Sequence, residues 1–271
     1  MPELPEMEHY RRALFPLVAG KPITTVRVER EKTVNVPPDA FCRLVLGGVM
    51  STVERRAKHL LFPLSSGLTL HLHLMLGGSM FYGTEEQKPD RSAQVTLGFA
   101  DGKQLYFHGL RLGYLHIHDP AALQEALGKL GPDPFDPSLT PQRFAELLRR
   151  KRGTLKSVLV DQAAVVSGIG NCYSDEICFA AGLLPTRRTG ELDAGETRSL
   201  YDAMRHVLRT ATERGGYMDV PLFAGDTLTG GFDPLCAVYD RKGEPCIRCG
   251  SPIAFAEVNS RKCFFCTQCQ H

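Results

Sequence analysis

The chain opens Met1-Pro2-Glu3-Leu4-Pro5-Glu6. A small residue at position 2 permits removal of Met1, which would leave Pro2 first. Its nitrogen is then a secondary amine, and α-amino groups titrate at about 7.7–8.0, so a useful fraction is nucleophilic at neutral pH. Glu3 would lie beside it. A second reading is structural only. Pro2 starts a helix, and Glu3 and Glu6 favour its positive end. Taken alone, the stretch favours the second reading.

A different chemistry sits at the other end. Cys246 and Cys249 form one pair and Cys266 and Cys269 another, with sixteen residues between them. Each pair can present two thiolates from a tight knuckle, and two knuckles close a tetrahedral structural site for one Zn2+. Cys263 breaks the paired spacing and is not expected to be a ligand. Cys42, Cys172, Cys178 and Cys236 lie among apolar residues and read as core.

The nine cysteines come without a signal-peptide core, which argues against a disulfide scaffold. No apolar run reaches membrane-span length, so a cytoplasmic, nucleoid-associated protein of bacterial type is expected, with no membrane partner. At 271 residues, with 43% hydrophobic and 23% charged, the chain has the material for one large or two modest cores. Net charge is only +2, so a polyanion must be met by local patches. Candidates are Arg55-Arg56-Ala57-Lys58, Arg149-Arg150-Lys151-Arg152, Arg187-Arg188 and Arg241-Lys242. Basic runs are also common as solvated faces.

The elements that must carry these residues are legible from periodicity. Leu4, Met7, Leu14 and Leu17 recur at helical spacing behind Pro5. The period then becomes two, in KPITTVRVER, GLTLHLHLML, AQVTLGFADGKQLYF and GYLHIH, with Asp101-Gly102 as a hairpin signal. At least six strands are predicted before residue 120, a β-sandwich led by one helix. His71 and His73 share a face, as do His116 and His118. Without partners at metal-ligand spacing they read as exposed-face histidines. The proline-rich KLGPDPFDPSLTP reads as a linker. Helical patterns follow in PQRFAELLRRK, TLKSVLVDQ, NCYSDEICFAAG and ETRSLYDAMRHVLRTATERGG, then a Gly-rich candidate loop. The expected division is 1–130, a linker over 131–141, a helical domain over 142–240 and the ribbon over 241–271. The fold class is therefore α+β.

Gly168-Ile169-Gly170-Asn171 precedes the third of those helical stretches and can aim backbone N–H groups outward as an anion site. A plain packing corner with an Asn cap is the other reading. The turn has company, however. Pro-Glu-Leu-Pro-Glu at the start, RRAKHL, LGPDP, Gly-Ile-Gly-Asn, DRKGEPC and the four-Cys ribbon occur in that order. The set resembles the formamidopyrimidine-DNA glycosylases of the helix–two-turns–helix family, end to end. Leu4 is similar to that branch rather than to endonuclease VIII.

The resemblance implies roles. Pro2 would attack C1′ of a damaged nucleotide, expel the base and leave an iminium that promotes strand cleavage. Glu3 would shuttle protons, and Glu6 matches a second carboxylate near the site. Lys58 would grip phosphate, as would Asn171 behind Gly170, with help from Lys156. Arg261 matches an arginine carried by the zinc-closed hairpin. Leu76, Arg111 and Leu112 stand where the family fills the hole left by a flipped base. The partner implied is damaged double-stranded DNA, held between the two domains by a monomer.

Departures fall in that last group. The family's HLGMSGSL is HLMLGGSM here, and its DPRRFG is HGLRLG, so Leu112 replaces an aromatic and Leu76 a methionine. MDVPLF replaces a more polar stretch in the Gly216–Phe232 loop. Four functions are therefore weighed. The first is a bifunctional glycosylase and AP lyase for 8-oxoguanine and formamidopyrimidines. The others are a paralogue acting on abasic sites or oxidised pyrimidines, a non-catalytic damage binder, and a zinc-ribbon transcription accessory. Intact Pro2 and Glu3 speak against the last two.

Overall fold

A computed structural model describes residues 1–271. They form two compact units, one of residues 1–128 with 214–231, the other of 129–213 with 232–271.

The first unit begins with α1 (Leu4–Val18), whose first two turns are buried on every side. Glu3 precedes the helix, and its backbone N–H donates to Glu6 Oε2 at 2.7 Å, so an orphan donor of the first turn is satisfied internally. After β1 (Ile23–Val28) comes α2 (Pro38–Val45), started by a proline. The strands follow as β2 (Glu54–Arg56), β3 (His59–Pro63), β4 (Thr69–His73), β5 (Ser79–Gly83), β6 (Ala93–Phe99), β7 (Gln104–His108) and β8 (Tyr114–His118). They make two antiparallel four-stranded sheets, ordered β1-β6-β7-β5 and β2-β3-β4-β8. Leu60, Phe62, Leu70, Leu72, Leu115 and Ile117 of one sheet share a core with residues of the other and with α1. This is a sandwich, with alternation assigning one face inward. The β6–β7 hairpin turns at Asp101-Gly102, with Gly102 at φ 78°. A short α3 (Pro120–Leu127), capped by the Asp119 side chain, ends the unit's first stretch.

The second unit is helical. It holds α4 (Pro141–Arg149), α5 (Leu155–Val160), α6 (Asn171–Ala181) and the long α7 (Ala194–Glu213). Thr140 and Thr154 cap α4 and α5 through their hydroxyls. The chain ends in a hairpin of β9 (Ala254–Val258) and β10 (Arg261–Phe265), packed on Phe179 through Val238, Ile253 and Phe264.

Two features differ from the sequence expectation. Residues 214–231, grouped by sequence with the helical domain, pack with the first unit. Leu222 is fully buried in the sandwich core, and its carbonyl accepts the Tyr82 N–H at 2.7 Å. The proline-rich stretch is not a free connector either. The Gly131 N–H donates to the Gln162 carbonyl, and Ser167 Oγ to the Gly131 carbonyl at 2.9 Å, tying it to the second unit.

Candidate active site and metal centre

In the first unit, Pro2, Glu3 and Glu6 lie buried at the start of α1. Glu6 is 0% exposed and is held from both sides. Oε2 accepts from Glu3 N, and Oε1 accepts from the backbone N–H of Tyr217 at 2.8 Å. The Tyr217 hydroxyl reaches the Met1 carbonyl at 3.4 Å. Gly216, at φ 78°, brings this backbone so close that a Cβ there would collide with the Glu6 carboxylate. Gly216 and Tyr217 open the Gly-rich loop that the sequence marks as a candidate, but no spacing announces their contact with Glu6, over two hundred residues away. Gly216→Ala is expected to lower base excision about 10- to 100-fold while changing DNA affinity less than about threefold, because displacement of a carboxylate by about 1 Å is enough. Single-turnover kinetics with binding measured in parallel checks this.

The same segment is tied further along α1. His9 Nε2 and Thr229 Oγ1 lie 2.8 Å apart, and the Thr229 hydroxyl donates to Asp226, which also accepts from Leu222 N at 2.9 Å. Glu8 links α1 to the β2–β3 turn. Burial would raise its carboxyl, but Arg11, Arg12 and Arg55 hold it at about 2. Arg55 bridges Glu8 at 3.1 Å and the Ala57 carbonyl at 3.3 Å. Ala57 sits at φ 54°, immediately before Lys58, which is only 5% exposed. The turn carrying Lys58 is thus anchored to the helix that Pro2 and Glu3 precede.

Leu76 and Leu112 are among the most exposed large apolar residues, at 66% and 64%. They sit on the β4–β5 and β7–β8 loops. These loops touch where Gly109, at φ 66°, packs against the Gly77 carbonyl with no room for a Cβ. Arg111 is exposed beside Leu112. Two bare aliphatic tips held on docked loops are suited to wedging between bases.

In the second unit, Gly170 is the N-cap of α6 and Asn171 its first residue, with the Asn171 side-chain oxygen buried and unpartnered. The Gln162 side chain clamps the turn from within, accepting from Gly168 N at 2.7 Å and donating to the Ile169 carbonyl at 2.8 Å. Lys156 is not where a phosphate grip requires it. It is 0% exposed, and its ammonium donates to the Asn171 carbonyl at 2.8 Å and to Asp175 Oδ1 at 2.7 Å. It fixes the first turn of α6 from inside. Asp175, its carboxyl raised by burial to about 7, also accepts from the Phe264 N–H in β10. Arg261 opens β10, exposed.

The four cysteine sulfurs lie within 4.8 Å of one another. Cys246 and Cys269 Sγ are 3.9 Å apart, and Cys249 and Cys266 Sγ 3.5 Å. These distances exclude disulfides and bracket the ~3.8 Å edge of a tetrahedron with ~2.3 Å metal–sulfur bonds. The donor set therefore fits a metal ion. Cys263 is outside the cluster, fully buried near Asp175, with its thiol pushed by burial to about 12. The hairpin is also held by Glu176, which accepts from the N–H groups of Ala237, Val238 and Tyr239 at 2.8–2.9 Å. Glu176→Ala strands two buried donors and one half-buried donor and is expected to cost about 3–5 kcal/mol, read from denaturant melts.

The histidines correct the exposed-face expectation. His71 is 1% exposed, and His59, His73, His116 and His118 are half-buried around it. Burial, followed by neighbouring positive charge, lowers His59 to about 2, His71 to about 3 and His73 to about 4. The unfolded chain takes up protons from about pH 6.5, whereas these folded rings do not. Stability is therefore full above pH 6.5 and lost as pH falls toward 4. At pH 5 each ring is expected to cost on the order of 1–2 kcal/mol. Thermal melts at pH 7.5 and 5.0 should show the loss, and His71→Leu should shrink it.

Comparison with known proteins agrees with this fold. Residues 1–115 match the family model of the formamidopyrimidine-DNA glycosylase N-terminal domain, and residues 130–219 that of the formamidopyrimidine-DNA glycosylase H2TH domain. The chain is 36% identical over 275 residues to formamidopyrimidine-DNA glycosylase of Bacillus cereus, covering 100% of this chain and 99% of that one. Against the Symbiobacterium thermophilum protein of the same name it is 37% identical, covering 100% and 89%. The crystal structure of the MutM (Fpg) protein from Thermus thermophilus superposes with TM-score 0.88 at 35% identity, over 99% of this chain and 98% of that one. A Lactococcus lactis Fpg mutant in complex with a Fapy-dG containing DNA gives 0.91 at 28%, over 100% of both.

Proposed function

The chain belongs to the formamidopyrimidine-DNA glycosylase family, whose DNA-repair glycosylase activity it shares, and on that premise we propose a bifunctional glycosylase and AP lyase for oxidised or ring-opened purines. The observation that carries the reading is the buried start of α1, where Pro2 and Glu3 adjoin a Glu6 carboxylate fixed by two backbone N–H groups. With Met1 attached, the Pro2 nitrogen is a tertiary amide without a usable lone pair. Once Met1 is removed it is a secondary amine. It attacks C1′, the C1′–N bond breaks, and the base departs with that electron pair and a proton. The Pro2 N–H proton is lost, the C1′–O4′ bond then breaks as O4′ takes up a proton, and the ring-opened product is an iminium, cationic without further protonation, which acidifies the C2′ hydrogen and allows elimination of the 3′ phosphate. Glu3 carries the protons to and from the sugar. Glu6 shapes the pocket around the amine. Lys58 steadies the phosphate flanking the lesion as a point charge.

Asn171, Arg261 and the Gly170 turn hold backbone phosphates, contacts that position the duplex without reading sequence. Lys156 supports them at one remove. Leu76, Leu112 and Arg111 fill the space left by the flipped nucleotide. One Zn2+ bound by Cys246, Cys249, Cys266 and Cys269 closes the hairpin that carries Arg261, and it supplies no reaction chemistry. The partner is damaged double-stranded DNA. The protein works as a monomer in the bacterial cytoplasm.

Leu112 favours a second reading as well, a relative with the same lyase chemistry and another lesion, because an aliphatic tip has no face to stack on a base. Incision of duplexes carrying 8-oxoguanine, formamidopyrimidine, an abasic site or an oxidised pyrimidine separates the two. Cutting at both purine lesions supports the first. Neglect of both, with cutting elsewhere, moves the assignment to the second.

A further inference from the structure

One face of the β2-β3-β4-β8 sheet has no part in that chemistry, yet it gathers five imidazoles. Strand register sets His59 opposite His73 and His71 opposite His116, with His118 opposite Thr69. The alternation of the sequence gives each strand its own histidines. The register supplies the partners that spacing along the chain lacks. His59 Nδ1 and His71 Nε2 lie 2.9 Å apart. The His73 ring lies 4.2 Å from that of His59, and the Tyr114 hydroxyl is 3.5 Å from His71 Nε2. Nδ1 of His71, Nδ1 of His73 and Nε2 of His118 are buried with no hydrogen-bond partner. Native interiors leave few such groups, and three on one sheet face leave the rings around the His59–His71 pair without fixed tautomers.

We propose that His59 and His71, flanked by His73 and Tyr114, form a second metal site, for a divalent transition ion of the Ni2+ or Cu2+ class. Metal–nitrogen bonds of about 2.0–2.1 Å meeting at a right angle span about 2.8–3.0 Å, which matches the His59–His71 separation. In the metal-free pair one ring donates N–H to the other. When both lone pairs go to the ion, that proton moves to the donor ring's other nitrogen. If His71 is the donor, this is the Nδ1 that now lacks a partner. Both rings stay neutral, and no net proton is released. The donor set of nitrogens with one oxygen excludes the hard ions Mg2+ and Ca2+. Lys58 and Arg56 act on the cluster as positive charges, while Asp119 acts on His118 with the opposite sign. The two cations oppose a bound cation, so the site binds more weakly than the four-thiolate centre.

The test uses the full-length protein with its cysteine centre already loaded and one zinc per chain confirmed by elemental analysis. Ni2+ is then titrated in by calorimetry, with ring resonances of the histidines followed by NMR. The expected result is one further saturable equivalent, with broadening centred on His59, His71 and His73. His59→Phe with His71→Leu should weaken that equivalent at least 30-fold and leave the zinc content unchanged. Should the double variant not fold, His71→Gln with the same titration and the wild-type broadening pattern decide the matter. No saturable uptake, uptake unaltered by either substitution, or broadening centred on other histidines would overturn the proposal.

Discussion

Pro2→Gly is expected to reduce base excision by at least ~1000-fold, about 4 kcal/mol in transition-state stabilisation, while duplex affinity changes less than about threefold. Glycine keeps an N-terminal amine but loses the secondary-amine chemistry that yields an iminium cationic at every pH. Its imine must be protonated before it can draw electrons from C2′. Binding survives because Pro2 is buried at the start of α1, and the contacts proposed for phosphate lie elsewhere, on Lys58, Asn171 and Arg261. Glycine also loosens the chain ahead of the helix, so a thermal melt must accompany the kinetics. Excision at the parental rate would remove Pro2 from the mechanism.

Loss of the cysteine centre should have the other large effect. Chelation of the metal, or Cys266→Ser, is expected to weaken DNA binding at least ~100-fold, about 2.8 kcal/mol. Without the metal, the four sulfurs within 4.8 Å of one another lose the bonds that join the two knuckles. The residues around them form only a small apolar cluster on Phe179. Arg261 then has no rigid hairpin to present it, and the salt dependence of binding should flatten as a phosphate contact is lost. The sandwich of the first unit has its own core and should melt as before. Anisotropy titrations at two salt concentrations, with and without chelator, measure both quantities. Unchanged affinity with the metal gone would separate the ribbon from DNA binding.

How far sequence reaches can be seen residue by residue. The start of α1, the turn at Asp101-Gly102 and the four helical stretches after residue 140 are written in local signals: a proline in a first turn, a positive-φ glycine, apolar residues three and four apart. The paired cysteines are likewise a local pattern, and their sulfurs converge. Other features depend on contacts between distant segments. Nothing around Gly216 says that its backbone will lie against Glu6, and the stretch MDVPLF gives no hint that Leu222 enters the sandwich core. Lys156 reads as a surface cation until Asp175 and the Asn171 carbonyl are found around it. The histidines alternate correctly along each strand, but only the register between β3, β4 and β8 turns separate pairs into one buried cluster. The start of α2 is marked by a proline, yet its eight residues are too few for periodicity to separate it from its surroundings.

The central claim is that the Pro2 nitrogen becomes covalently joined to the damaged sugar. Borohydride reduction tests it most directly. The purified protein, with Met1 shown by mass to be absent, is incubated with one duplex carrying an abasic site and another carrying 8-oxoguanine opposite cytosine. The account predicts a trapped adduct on both, with the added mass on the peptide beginning at Pro2. No adduct on either duplex, or an adduct located on a lysine such as Lys58, would contradict it.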